Sequence, residues 1–251
     1  MLQSISKNRY SILLFFTVLF SLISFILRFV FAIWVKNEFN WNLNELFHTL
    51  FFGFIYDISI VSCFTLFLTL YFLLLPNRLI RSVFDKVVVY SIFTLYLIIL
   101  YFTFFAEVTF WDEFKSRFNF IAVDYLIYTY EVVKNIQESY PIPILLGGIL
   151  TITGLTLFVT TKGKFFYHTF NHSPSTAQKI GVFMFNLMLT FVSIYFLNND
   201  TSSTSENRYN NEISKAGIFS FFSAFRNNHL KYDEHYRSLP IEQAFTNVKE
   251  E

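Results

Sequence analysis

Five uninterrupted apolar stretches, each near the length needed to cross a bilayer, occupy most of the first 198 residues of this chain. A hydrocarbon core of about 30 Å takes roughly 20 helical residues to span. The stretches around residues 10–35, 46–75, 87–106, 142–161 and 180–198 meet that length, and the last three contain no Asp, Glu, Lys or Arg. Lipid offers the backbone no hydrogen-bond partners, so a spanning segment must be a helix or part of a closed barrel. Uniformly apolar runs lack the alternation of barrel strands. The sequence therefore predicts an all-α membrane protein built on a five-transmembrane-helix bundle.

Composition agrees: 54% of residues are hydrophobic and only 15% charged, against about a quarter charged in soluble domains. The formal net charge is +1 and the basic residues are scattered, which gives nucleic-acid binding no support. The lone cysteine, Cys63, falls inside the second apolar run, so no intramolecular disulfide can form. The first run follows Lys7 and Arg9 without a small-residue cleavage pattern and reads as an uncleaved signal anchor. Orientation follows from the short loops, because Lys and Arg resist translocation while acidic residues matter little. The N-terminal stub and the loops after runs two and four hold Lys7, Arg9, Arg78, Arg81, Lys86, Lys162, Lys164 and Lys179, against one acid, Asp85. Segments 36–45 and 107–141 hold Lys36, Lys115, Arg117 and Lys134, outnumbered by acids from Glu38 to Glu138. This pattern predicts a cytoplasmic N-terminus and, after five crossings, an outer compartment for everything from Asn199 onward.

Two charges fall within the predicted hydrocarbon, Arg28 in run one and Asp57 in run two. Each would cost about 2.5–3.5 kcal/mol at mid-membrane, which disfavours facing lipid. Counted from the outer ends of their runs at 1.5 Å per residue, Arg28 lies roughly 10 Å deep and Asp57 roughly 16 Å. A long arginine bridges that offset. The pair reads either as an interhelical lock or as a polar pocket in which Arg28 holds a lipid phosphate and Asp57 orients it.

Between runs three and four, bulky residues recur at Trp111, Phe114, Phe118, Ala122, Tyr125, Thr129, Val132 and Ile136, in steps of three and four. That spacing predicts an amphipathic helix over 107–138, lying in the outer headgroup layer with an aromatic shelf of Trp111, Phe114, Phe118 and Tyr125. Glu107 and Glu113 accompany it, and Glu113 and Arg117, four apart, are placed to pair along its face. Gly147, Gly148 and Gly154 in run four read either as points of close helix contact or as flexibility near the outer end. The polar stretch from Asn198 to Ser205 opens a linker over 199–251 in which Ile213, Ala216, Ile218, Phe219, Phe222 and Phe225 form a second amphipathic segment.

The stretch EVTFWDEFKSRFNFIAVDYLIYTYEVVKNIQESYP from Glu107 to Pro141, with Tyr56-Asp57 and AGIFSFFSAFRNNHLKYDEHY from Ala216 to Tyr236, resembles the membrane portion of the lipoteichoic acid synthase family. The similarity spans essentially the whole chain. It implies five transmembrane helices and an extracytoplasmic linker in a bacterial cytoplasmic membrane. A large α/β catalytic domain of the alkaline phosphatase superfamily would follow. In that domain a divalent metal, typically manganese, and a threonine transfer phosphoglycerol from phosphatidylglycerol. On this reading the 251 residues end before the catalytic domain, so neither the nucleophile nor the metal ligands lie in this chain and no cofactor is expected on it. Arg28, Asp57, Glu107, Trp111, Glu113 and Arg117 become candidates for a lipid-headgroup pocket, with anionic glycerophospholipids as partners.

The remaining residues offer no competing catalytic set. His168 and His172 have an i, i+4 spacing that suits metal ligation, but they sit in a predicted cytoplasmic loop without a carboxylate or cysteine close by in sequence, and His229 and His235 have no partner set. No phosphate-binding glycine loop or nucleophile–base arrangement stands out. Two further readings stay open. One is a small transporter or channel subunit lined by Arg28 and Asp57. The other is a noncatalytic membrane scaffold. The sequence leaves the donor lipid, the acceptor and the oligomeric state undetermined.

Overall fold

A computed structural model describes residues 8–127, 130, 134, 138 and 141–227, and among these every regular element is helical. Five helices are long and apolar enough to cross a membrane: α1 (Ser11–Trp34), α2 (Leu43–Leu74), α3 (Val83–Phe114), α5 (Ile142–Lys162) and α7 (Thr176–Phe196). Shorter helices lie between and after them: α4 (Phe120–Ile127), α6 (Phe165–Asn171), α8 (Arg208–Ser214) and α9 (Gly217–Asn227). This makes the chain an all-helical, multi-pass membrane protein by the length and composition of its helices.

Polar punctuation sets the helix boundaries. The Asn42 side chain accepts the Asn44 N–H at 3.1 Å to start α2, and α2 stops at an extended Leu75 because Pro76 disfavours helical backbone in the residue before it. Ser82 caps α3 by accepting the Asp85 N–H at 3.1 Å. Ser175 and Gln178 form a reciprocal capping box at the start of α7.

The helices pack in the order α7, α2, α1, α3, α5, with α1 and α2 both touching α3. The centre is apolar, built from Phe16, Phe20, Phe31, Tyr56, Leu68, Phe72, Phe93, Leu97 and Trp111. The flanks invert that pattern. The buried side chains of α7 are Lys179, Asn186, Thr190 and Ser193, and those of α5 are Ile149, Thr153, Thr156 and Thr160. Lipid is as apolar as leucine, so helix association there rests on close packing and interhelical hydrogen bonds rather than on expelling water. Asn186 donates to Thr65 and Thr69 of α2, each at 3.2 Å, and the Tyr101 hydroxyl of α3 lies 2.5 Å from Thr156 Oγ1. The outward faces of α5 and α7 carry exposed Leu150, Leu155 and Phe158, and Phe185, Met188 and Phe191.

The chain reverses so that its described termini lie at opposite ends of the bundle. At one, called here the Arg9 end, Arg9 reaches the Thr169 carbonyl at 3.1 Å and Lys179 the Leu75 carbonyl at 2.5 Å. At the other, the Arg28 end, the Tyr56 hydroxyl donates to the Asn198 carbonyl at 2.6 Å and Asn207 to the Glu38 carbonyl at 2.6 Å.

Three expectations change. Residues 107–114 belong to α3, not to a separate interfacial helix, because the apolar pattern can end while the helix continues. At 32 residues α3 is about 48 Å long, well beyond the hydrocarbon thickness. The helix breaks at Lys115, which adopts left-handed backbone with φ 48°, and resumes at Phe120 as α4; Thr129, Val132 and Ile136 lie outside the described residues. The glycines of α5 make no close contact, since an added Cβ at Gly147, Gly148 or Gly154 meets nothing within 4 Å. The threonine face of α5 makes the interface instead. Finally, the described part of the expected linker is a folded cap. A 3-10 turn (Asn199–Ser202), α8 and α9 close over the Arg28 end, with Ile213 and Ala216 in the core while Phe222 and Phe225 stay exposed. The rest of the expected linker, with His229 and His235, lies outside the described residues.

Candidate functional site

The Arg28 end holds two buried ion pairs beneath the cap. Arg28, on the inward face of α1, is 2% exposed, and so is Asp57 on α2. Arg28 Nη1 donates to Asp57 Oδ2 at 2.6 Å and Nη2 to Oδ1 at 2.9 Å, the bidentate fork that guanidinium geometry favours. Ser24, one turn before Arg28, bridges the pair, donating to Asp57 Oδ1 at 2.7 Å and accepting from Arg28 Nη1 at 2.8 Å. Arg28 Nη2 also reaches the Gly53 carbonyl at 2.9 Å and the Lys215 carbonyl of the cap at 3.4 Å.

Arg117 forms the second pair, made possible by the left-handed turn at Lys115. That turn folds the chain back so that Arg117 Nη1 donates to Glu107 on α3. Glu113, the expected partner, is exposed and takes no part. Arg117 Nη2 reaches the Ile213 carbonyl at 3.4 Å, and its backbone N–H donates to Glu212 at 3.0 Å, so α8 is tied to this arginine twice. The guanidinium sits 4.8 Å from the centre of the Phe31 ring, which stacks at 4.3 Å on Trp111. Burial pushes the Arg117 guanidinium below its ordinary range, while Glu107 opposes that shift. The two pairs are close enough for each to feel the other's charges. They form one cluster of two guanidinium and two carboxyl groups, Arg28, Asp57, Glu107 and Arg117.

Two glycines make room for it. A Cβ on Gly53 would press into the Arg28 guanidinium, with Cζ at 2.7 Å, and one on Gly217 would collide with the Glu107 carboxylate. Three buried N–H donors in this region, Arg28 Nε, Arg117 Nε and Trp111 Nε1, have no partner among the described residues. The cluster thus combines strong pairing to bundle acids with longer contacts to cap carbonyls. That arrangement can fasten the cap, and it can present cationic N–H groups to an anion that replaces the cap.

Of the residues singled out from the sequence, the structure brings together Arg28, Asp57, Glu107 and Arg117. Trp111 lies beside them but in the core at 0% exposure, so it is no part of an interfacial shelf. The rest of that shelf is a partly exposed cluster around buried Phe110, with Phe114 at 4.5 Å and Phe118 at 5.2 Å between ring centres. Tyr125 joins through Phe114, and Phe221 of α9 through Phe118, each at 6.2 Å. His168 and His172 stand at the Arg9 end, their rings 5.8 Å apart, with His172 Nδ1 donating to the His168 carbonyl at 3.0 Å. No group of three or more potential metal-ligating side chains occurs among the described residues.

Sequence reasoning missed a third buried pair. Arg9 grips Asp85 at the first turn of α3 through bonds of 2.8 and 2.5 Å, and Asp85 also accepts from Tyr71 and the Arg81 N–H. Its signal was present: Asp85 is an isolated acid in an otherwise basic set of loops. The cap residues Asn210 and Glu212 gave no such signal, being ordinary polar residues in a polar stretch. No protein-family model, curated protein or solved structure matches this chain.

Proposed function

We propose that this chain is the membrane-anchoring, lipid-presenting part of a sulfatase-like phosphoglycerol transferase of the lipoteichoic acid synthase type. It would act on glycerophospholipid headgroups at the outer face of a bacterial cytoplasmic membrane, with the chemistry supplied by a metal-dependent catalytic domain. The observation that carries this reading is the cap: residues 198–227 fold onto the bundle at the end opposite the basic loops, tied to Arg28 and Arg117. A segment fixed in that way holds whatever follows it against the membrane surface. Such confinement turns a three-dimensional search for lipid into a local one and raises effective concentration. Arg28 and Arg117 supply the cationic chemistry for a phosphate, and Phe114, Phe118 and Tyr125 supply a surface that can enter the acyl boundary. The buried, bidentate Arg28–Asp57 pair does not favour a water-filled path, so the transporter reading is the weaker one.

The positive-inside pattern supports placing the Arg9 end in the cytoplasm. The test combines topology with lipid selectivity in a Cys63→Ser background. A membrane-impermeant thiol reagent on intact cells should label Ser203→Cys, and should label Lys164→Cys only after permeabilisation. The purified chain should retain phosphatidylglycerol over phosphatidylcholine in native mass spectrometry, with a loss of about tenfold in Arg117→Gln. Labelling of Lys164→Cys from outside, or no preference between the lipids, would defeat the proposal.

A further inference from the structure

A separate groove opens at the other end of the molecule, between the C-terminus of α2, the turn that follows it and the start of α7. Its volume is about 550 Å³, and its walls include Leu73, Leu74, Asn77, Arg78, Thr176 and Lys179. Two cations line it and no acid does. Arg78 is exposed and its side chain makes no hydrogen bond or ion pair among the described residues. Lys179 is 7% exposed, and one of its ammonium N–H groups is held by the Leu75 carbonyl at 2.5 Å, which aims the side chain across the groove and leaves two donors. The nearest buried acid, Asp85, is already occupied by Arg9, Tyr71 and the Arg81 N–H, so it does not neutralise these cations.

We propose that this groove binds the phosphate headgroup of an anionic phospholipid in the leaflet at the Arg9 end, a site distinct from the cluster beneath the cap. Depth identifies the source of the phosphate. Lys179 stands in the first turn of α7 and Arg78 just past the end of α2, where two apolar spans give way to a basic turn, the position expected for a headgroup contact. Below them Leu73 and exposed Leu74 continue along α2 as an apolar wall for acyl chains. A basic pocket between transmembrane helices with an apolar floor matches a lipid with a negative headgroup. A free phosphate would make no use of the leucines.

The test uses the full chain in detergent, with dioleoyl phosphatidylglycerol, dioleoyl phosphatidylcholine and inorganic phosphate as probes in native mass spectrometry. Phosphatidylglycerol should bind in preference to phosphatidylcholine, and Arg78→Gln should weaken it about fivefold, with Arg78→Glu weakening it further. Arg78 is exposed, so these variants keep the parent melting temperature, whereas Lys179→Gln also removes the bond to Leu75 and serves only as a companion. A photoactivatable phosphatidylglycerol should crosslink to peptides containing 73–78 or 176–179. Crosslinks confined to the Arg28 end would support the lipid-presenting function and overturn this site. Retention unchanged in Arg78→Glu would overturn it as well. Displacement of the lipid by millimolar inorganic phosphate would show a free-phosphate site and overturn the lipid assignment.

Discussion

A guanidinium enclosed by helices stays charged at tolerable cost only where a carboxylate and further acceptors meet it, and both arginines at the capped end satisfy that condition. Breaking a buried pair is therefore worse than never having had it. Asp57→Asn leaves Arg28 with Ser24 and the Gly53 and Lys215 carbonyls but without its paired carboxylate, and should cost about 3–5 kcal/mol. The double replacement Arg28→Met with Asp57→Leu should recover most of the loss, as measured by thermal unfolding in detergent; an unchanged melting temperature for Asp57→Asn would show that the pair holds nothing together. Glycines give a second residue-scale contrast. Gly53→Ala pushes a methyl into Arg28 and should cost about 1–3 kcal/mol. Gly148→Ala meets open space and should be neutral or stabilising by about 0.5–1 kcal/mol from helix propensity; equal effects at the two positions would refute the packing described. The Arg28–Asp57 pair was legible because a charge inside an apolar run stands out. Arg9 and Asp85 sit at the ends of runs, where charge is ordinary, so their burial was not. Arg117 was assigned the wrong partner because i, i+4 reasoning assumes a continuous helix, and one left-handed residue at Lys115 redirects the chain.

At the scale of elements, hydropathy located all five spanning helices and misjudged their ends. An apolar count stops where polar residues begin, while a helix stops where its hydrogen bonds find another partner or the backbone turns: Pro76 after α2, left-handed Lys115 after α3, Gly163 after α5. Packing was less legible than position. In water the buried face of a helix is its apolar face, so amphipathicity reveals it. On α7 the buried face is the polar one, formed by Lys179, Asn186, Thr190 and Ser193, and the exposed face carries Phe185, Met188 and Phe191. The inversion yields a prediction about the attachment of α7. Asn186→Leu removes the bonds to Thr65 and Thr69 and should cost about 1 kcal/mol, in line with interhelical hydrogen bonds in membranes. Phe185→Leu, at a position 64% exposed, should have no measurable effect on unfolding in detergent. A larger loss at Phe185 than at Asn186 would mean that the outward face of α7 is covered in the working protein.

For the whole molecule, the distribution of fasteners decides how it moves. The Arg9 end is closed by a bidentate pair and by side-chain bonds to carbonyls of α6 and of the residue that ends α2, so the bundle is clamped there. The Arg28 end is closed by a cap whose bonds to the two guanidinium groups are 3.4 Å long, against 2.6 and 2.9 Å from Arg28 to its acid, while the Arg117 backbone N–H holds Glu212 at 3.0 Å. The guanidinium groups hold the cap less closely than they hold their acids, and the cap should open as a unit while the five helices stay packed. Asn210 is the handle for testing this. It is 1% exposed, and it accepts the Asn40 N–H at 2.9 Å while donating to the Asn40 carbonyl at 3.0 Å, joining α8 to the turn after α1. Asn210→Ala leaves both Asn40 groups without their partner, a loss of about 1–3 kcal/mol. Amide exchange in residues 208–220 should then accelerate roughly tenfold to a hundredfold, one power of ten for each 1.4 kcal/mol, while exchange in α1, α2 and α3 keeps its parent rate. If exchange instead accelerated equally in the cap and in those three helices, the cap would be part of one cooperative unit with the bundle, and an anion could reach Arg28 and Arg117 only by unfolding the protein.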